Sequence, residues 1–144
     1  MKFKIPMNLS HKPVIKVEEY EKFDGEHGNN SDAKGLSLGF AQYDDKQISA
    51  KVWRYSNIKW SRQSEELPLN RVLDLTLLIL KTKIFLKKGK SDKDFIFSER
   101  KELKIDFENT EIFEGIFEKY DQMYLTERIL EIKKTIEEIE NLNK

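Results

Sequence analysis

The chain has 144 residues, 38% hydrophobic and 36% charged, and its 26 basic and 26 acidic side chains give a formal net charge of zero. This length fits one domain with room for a core, and the composition is not that of a disordered chain. With no cysteine, disulfide scaffolds, thiol nucleophiles and cysteine-based zinc sites are excluded.

In chain order, Met1-Lys2-Phe3-Lys4-Ile5-Pro6 lacks the apolar core of a secretory signal, which predicts a cytoplasmic protein. Val14-Ile15-Lys16-Val17 reads as a short strand after Pro13, and Asp24 to Asn30, with two glycines, as a loop. Leu36, Leu38 and Phe40 alternate with Ser37, Gly39 and Ala41 in a half-buried strand, and Asp44-Asp45-Lys46 forms the turn after it. Ile48 to Tyr55 is the next strand. Ser56-Asn57 turns the chain into a third strand over Ile58 to Glu65. Alternation places Ile48, Ala50 and Val52 on one face, expected to be core, and Lys51, Trp53 and Tyr55 on the other.

Pro68 ends the sheet, and Asn70 is the expected N-cap of a helix from Arg71 to about Leu86. Val72, Leu73, Leu75, Leu77, Leu78, Ile79 and Leu80 surround most of its circumference, which predicts burial on more than one side. Its apolar run contains Asp74 and is far shorter than the ~20 residues that span a bilayer, so no membrane is expected. Phe95-Ile96-Phe97 and the alternation of Leu103, Ile105 and Phe107 suggest a strand pair. From Thr110 the apolar spacing is helical, and a last helix over about Met123 to Leu142 carries Leu125, Ile129, Ile132, Ile136 and Ile139 at heptad-like spacing.

The fold class expected is α+β: a small antiparallel sheet followed by a buried apolar helix, with two C-terminal helices packed alongside. All of residues 1–144 form a single domain in this reading: an N-terminal segment and loop (1–35), the sheet and apolar helix (36–90), and a strand pair with an acidic helical tail (91–144). The zero net charge is divided along the chain. Residues 34–90 hold twelve Lys/Arg against five Asp/Glu, and residues 91–144 hold nine against fifteen. A basic middle can attract phosphate, and an acidic tail can fold back to neutralise it.

Signals for catalysis are weak. His11 and His27 stand sixteen residues apart in loop-like contexts, without ligand spacing, and are expected to be solvated; no metal or cofactor is called for. The paired acids Asp44/Asp45 and Glu65/Glu66 lie at turns and are likewise expected in solvent. Ser31, Asp32 and Lys34 bring a hydroxyl, a carboxylate and an amine into one loop, but the same residues also fit a turn that bonds its own backbone.

The basic and aromatic residues of the middle carry more information. Lys46, Lys51, Trp53, Arg54, Tyr55, Lys59, Trp60 and Arg62 interleave cations and rings over two strands. Platforms of this kind bind single-stranded DNA or RNA, with rings stacking on bases and cations following phosphates. The same rings also suit packing beneath residues 110–142 with the lysines reaching outward. The apolar 71–86 helix and the C-terminal isoleucine ladder offer homodimer contacts. Three functions follow: a nonenzymatic module with single-stranded nucleic acid as leading ligand, a protein-interaction or homo-oligomeric scaffold, and an enzyme using the 29–35 loop.

Two resemblances bear on this middle region. The segments Asn30-Ser31-Asp32-Ala33-Lys34-Gly35-Leu36-Ser37-Leu38-Gly39, Ile48-Ser49-Ala50-Lys51-Val52-Trp53-Arg54, Lys59 to Leu69 and Arg71-Val72-Leu73-Asp74-Leu75 resemble a family of small bacterial proteins of unknown function. That likeness implies a cytoplasmic single-domain protein and brings no activity. The order of strands, Leu67-Pro68-Leu69 and apolar helix is also similar to the positive-cofactor-four-like coactivator fold. There a curved sheet binds single-stranded DNA and the following helix makes a dimer. Ile48 to Tyr55 and Leu67 to Leu80 fit that plan. Ser61-Arg62-Gln63-Ser64-Glu65-Glu66 departs from it by placing acid where that family has lysine and glycine, and residues 91–144 have no counterpart.

Overall fold

The structure, a computed structural model, describes residues 4–5, 11–24, 30–44, 46–56, 58–61, 65–88, 96–98, 100, 103–105 and 110–144. They form an α+β fold in two compact units, Met1–Thr82 and Lys83–Lys144.

The first unit is a five-stranded antiparallel sheet. Strands β1 (Lys12–Glu18), β2 (Ala33–Phe40) and β3 (Ile48–Ser56) lie side by side in chain order. Two short strands share the far edge of β3: β4 (Lys59–Trp60) pairs with its last residues, and β5 (Glu65–Pro68) with Ser49 to Val52. The single third strand expected over Ile58–Glu65 is therefore two, of which Arg62 to Ser64 lie outside the described residues. A short 3-10 turn, Tyr20–Lys22, follows β1. The turn at Asp44 forms as expected: its carboxylate accepts the Lys46 N–H at 2.9 Å and its carbonyl the Gln47 N–H at 3.0 Å.

Two glycines set how closely the N-terminal segment approaches the sheet. A Cβ on Gly39 would collide with the Lys12 carbonyl and stand 2.7 Å from Pro13 Cα. One on Gly35 would stand 2.7 Å from Ile5 Cδ1. With hydrogens there instead, β1 lies tight against β2 at Gly39, beside a register shift between Pro13 and Ile15, and Ile5 packs against Gly35. This arrangement carries His11 and Ile5 onto one face of the sheet.

Helix α1 (Leu69–Lys88) begins directly after Pro68, so Asn70 lies inside the helix and not at its cap. The burial expected all round is absent among the described residues. Leu73 is 67% exposed and Leu75 52%, and only Phe85 is buried.

In the second unit, β6 (Ile96–Ser98) pairs with β7 (Leu103–Lys104), the strand pair expected there, of which Phe95 and Phe107 lie outside the described residues. The two C-terminal helices expected are one continuous rod. Helix α2 (Thr110–Tyr120) runs through a π-helical turn, Asp121–Leu125, into α3 (Thr126–Leu142). The wider turn absorbs one extra residue. It keeps Phe113, Phe117 and Tyr120 on the same stripe as Leu125, Ile129 and Ile132, although the spacing from Tyr120 to Leu125 is five. The Lys83 ammonium meets Asp121 Oδ1 at 2.9 Å beside this turn.

Candidate functional site

Alternation along β2 and β3 places Ser37, Ser49, Lys51 and Trp53 on one sheet face, and that face is the buried one. This corrects the expectation that Ile48, Ala50 and Val52 are core; of the two settings open to Lys51 and Trp53, water or a covering element, they have the covered one. Trp53 is 1% exposed and Lys51 7%, whereas Ile48 is 52% exposed. The physical reason is backbone proximity. Ala33, Gly35, Ser37, Gly39 and Ser49 are small, so the N-terminal segment can close over them, and Trp53 fills the remaining space.

His11, expected in solvent, is completely buried here and organises a polar network. The indole Nε1 of Trp53, a donor only, donates to Ser37 Oγ at 2.8 Å. Ser37 therefore directs its own proton to His11 Nε2, 2.9 Å away. This assigns the remaining imidazole proton to Nδ1, which lies 2.9 Å from Ser49 Oγ and 3.3 Å from Glu66 Oε1. Ser49 in turn donates to Glu66 Oε1 at 2.7 Å, and the Gln42 N–H reaches the same oxygen at 3.1 Å. The protons run in one direction, from indole to carboxylate.

Glu66 is also a correction, because its side chain is only 3% exposed. It stands across from Lys51 in the β3–β5 register. Burial alone would raise its carboxyl, but hydrogen bonds from Ser49, the Gln42 amide and His11 hold it below the ordinary carboxylate range. Burial lowers His11 below its usual 6.5, outweighing the opposite pull of Glu66. Burial likewise lowers Lys51, with Glu66 opposing. The Lys51 ammonium sits 3.7 Å from the centroid of a Trp53 ring, a cation–π contact in a desolvated place. The resulting state is a neutral His11 between a buried anion and a buried cation.

Ser37, His11 and Glu66 are the residue types of a nucleophilic triad. Their surroundings oppose that use: Ser37 is 5% exposed, Ser49 and His11 are fully buried, and the Ser37 hydroxyl is occupied by Trp53 and His11. The network ties together the segment before β1, β2, β3 and β5. Sequence reading missed it because its members are 55 residues apart at the extremes. The available signal was the run of small and polar residues at alternate positions 35, 37 and 39, facing 49, 51 and 53.

The other sequence-predicted residues are dispersed. Trp60 packs edge-on to Trp53 at 5.9 Å and to Tyr55 at 5.2 Å, so three rings do cluster, with Tyr55 and Trp60 half-buried. Arg54 is held by Asp32 through Nε at 3.2 Å and Nη2 at 3.0 Å, with Glu65 3.5 Å from Nη1. Lys46 and Lys59 are exposed, and Arg62 lies outside the described residues, as does His27. In the loop, Ser31 bonds Asp24 and accepts the Ala33 N–H at 3.0 Å, the turn-forming role considered for it. Ser31 and Asp32 line a polar pocket of about 470 Å³ with Tyr20, Asp24, Arg54 and Glu65, and Lys34 is not among the residues lining it.

The opposite sheet face is apolar and open. Across the strands, Val17, Leu36 and Val52 form one row, Ile15, Leu38, Ala50 and Leu67 a second, and Phe40 and Ile48 a third. Ile15 is 64% exposed, Val17 52% and Phe40 49%. Val72 of α1 joins the first two rows in lining a groove of about 460 Å³.

A protein-family model matches residues 3–141, almost the whole length. The chain belongs to that family, DUF6530, a family of unknown function. No curated protein and no solved structure matches the chain. Membership in DUF6530 assigns no activity, so the functional reading rests on the geometry above. Among the described residues, no helix is long and apolar enough to cross a membrane, and no group of three or more His, Cys, Asp or Glu side chains is placed to hold a metal ion.

Proposed function

We propose that this member of DUF6530 is a nonenzymatic protein-interaction module whose working surface is the open apolar face of the sheet. The observation that carries this reading is the groove of about 460 Å³ bounded by Ile15, Val17, Leu38 and Val72, continuous with exposed Phe40 and Ile48. Scattered single apolar side chains on a surface mean little, but a contiguous patch spanning three strands is the mark of an interface. The buried polar network supports the reading from the other side. It gives the sheet a rigid back, so the open face is presented on a fixed frame.

Binding of single-stranded nucleic acid ranks below this reading. Trp53 and Lys51, its central ring and cation, are 1% and 7% exposed, and Arg54 is engaged by Asp32 and Glu65. An enzyme working from the 29–35 loop ranks lower still, since the Asp32 carboxylate is committed to Arg54.

Sedimentation velocity over a concentration series tests the proposal. The wild-type chain is expected to associate, and Phe40→Glu or Val17→Glu to abolish association while leaving the circular dichroism spectrum unchanged. A wild-type chain that stays monomeric, or variants that associate as before, would count against it.

A further inference from the structure

The occupant of the apolar face can be named more closely; this step rests on the interaction reading above. The geometry points to a second copy of the chain, with helix α1 of each copy lying on the sheet of the other in a closed, two-fold dimer.

The chain carries both halves of a helix-on-sheet layer, and neither half is covered among the described residues. On the sheet, Ile15, Val17, Phe40 and Ile48 stand about half exposed or more. On the helix, Leu75, Leu78 and Ile79 share one side and are 52%, 39% and 40% exposed. A helix that is apolar on several sides has to be covered by something.

The helix cannot cover its own sheet, because the junction is too short. Strand β5 ends at Pro68 and α1 starts at Leu69, with no loop between them. Folding a helix back across the sheet it has just left takes a connection of roughly two to six residues. Only the first turn therefore touches the groove, through Val72, and the helix then runs on with Leu75, Leu78 and Ile79 uncovered. The stripe that starts on one copy's groove continues onto the partner's sheet.

Size agrees. The 20 residues of α1 span about 30 Å, and the eight residues of β2 about 27 Å. If the exposed parts of these sheet residues and of Leu75, Leu78 and Ile79 were wholly covered, two reciprocal contacts would bury on the order of 1,200 Å², the lower end of the range of a specific interface. Reciprocal exchange also closes the assembly, since each copy gives one helix and receives one, leaving no open end for further growth.

Because the chain has no cysteine, single-cysteine variants with a short bismaleimide reagent report contacts cleanly. Mixing Leu38→Cys chains with Leu75→Cys or Leu78→Cys chains is expected to yield a covalent dimer carrying one chain of each kind, and introducing Phe40→Glu into the Leu38→Cys chain is expected to abolish it. A bridge formed within the doubly substituted Leu38→Cys/Leu75→Cys chain, diluted into excess wild type, would overturn the inference by showing a helix on its own sheet. A non-covalent dimer that cross-links only between Ile136→Cys chains would also overturn it, placing the contact on the C-terminal ladder and not on the sheet. A monomer at every concentration would remove both the dimer and the main support for that wider reading.

Discussion

The two faces of one sheet are interleaved residue by residue along β2 and β3, yet they meet opposite fates. One face presents serines, glycines, a lysine and a tryptophan, and it is sealed. The other presents isoleucine, valine, leucine and phenylalanine, and it stands open. The difference shows that side-chain volume decides which backbone can approach, and that hydrophobicity decides only what the approach is worth. Gly39 leaves room for the start of β1 and Gly35 for Ile5, and His11, just before β1, bonds Ser37, Ser49 and Glu66. Branched apolar side chains on the other face hold any backbone at a distance and favour a bulkier partner, such as a helix.

The largest effect is expected on removing the indole of the sealed face. Trp53→Ala should cost about 3–5 kcal/mol in urea denaturation, since it opens a cavity and strips Ser37 of its donor. A loss under about 1 kcal/mol would mean that the face is not core. Next in size is Gly39→Ala. The added methyl meets the Lys12 carbonyl and the Pro13 backbone, and should cost about 1–3 kcal/mol through overpacking.

Acid should weaken the same face progressively. His11 and Glu66 both have folded-state pKa values below their ordinary 6.5 and 4.5. The unfolded chain therefore takes up protons first, and the stability these groups contribute is present above those ordinary values and lost as pH falls below them. The midpoint of thermal unfolding should drop between neutral pH and about 5 through His11, and further through Glu66. His11→Gln should flatten the first part of that drop. A midpoint that rises on acidification would contradict the assigned neutral imidazole.

The smallest effect expected is a gain. Ile58 closes the β3–β4 hairpin at φ 64° while 90% exposed, a backbone region costly for a β-branched residue. Relief of about 1–2 kcal/mol is partly offset by the flexibility of glycine, about 0.5–1 kcal/mol, so Ile58→Gly should stabilise by up to about 1.5 kcal/mol. A loss on that substitution would mean that Ile58 makes a contact this account omits.

Much of the fold was legible from period and punctuation. The strands at Val14–Val17, Leu36–Phe40 and Ile48–Tyr55, the apolar helix after Pro68 and the helical C-terminal third all appear in the structure. What sequence reading could not supply was the far partner of each face. Polar residues at alternate strand positions signify solvent unless something arrives to bond them, and His11 arrives from 26 residues before Ser37. The π-helical turn was concealed for a similar reason: a five-residue step from Tyr120 to Leu125 reads as a break between helices until the backbone widens to absorb it.

The claim on which the rest depends is that the apolar face is a surface between molecules and not an interior. The most direct test is the denaturation midpoint of the wild-type chain and of Phe40→Glu as a function of protein concentration. Association through this face requires the wild-type midpoint to rise with concentration, while the variant stays flat at the wild-type dilute limit. A flat wild-type curve, or a variant already unfolded at every concentration, would contradict it.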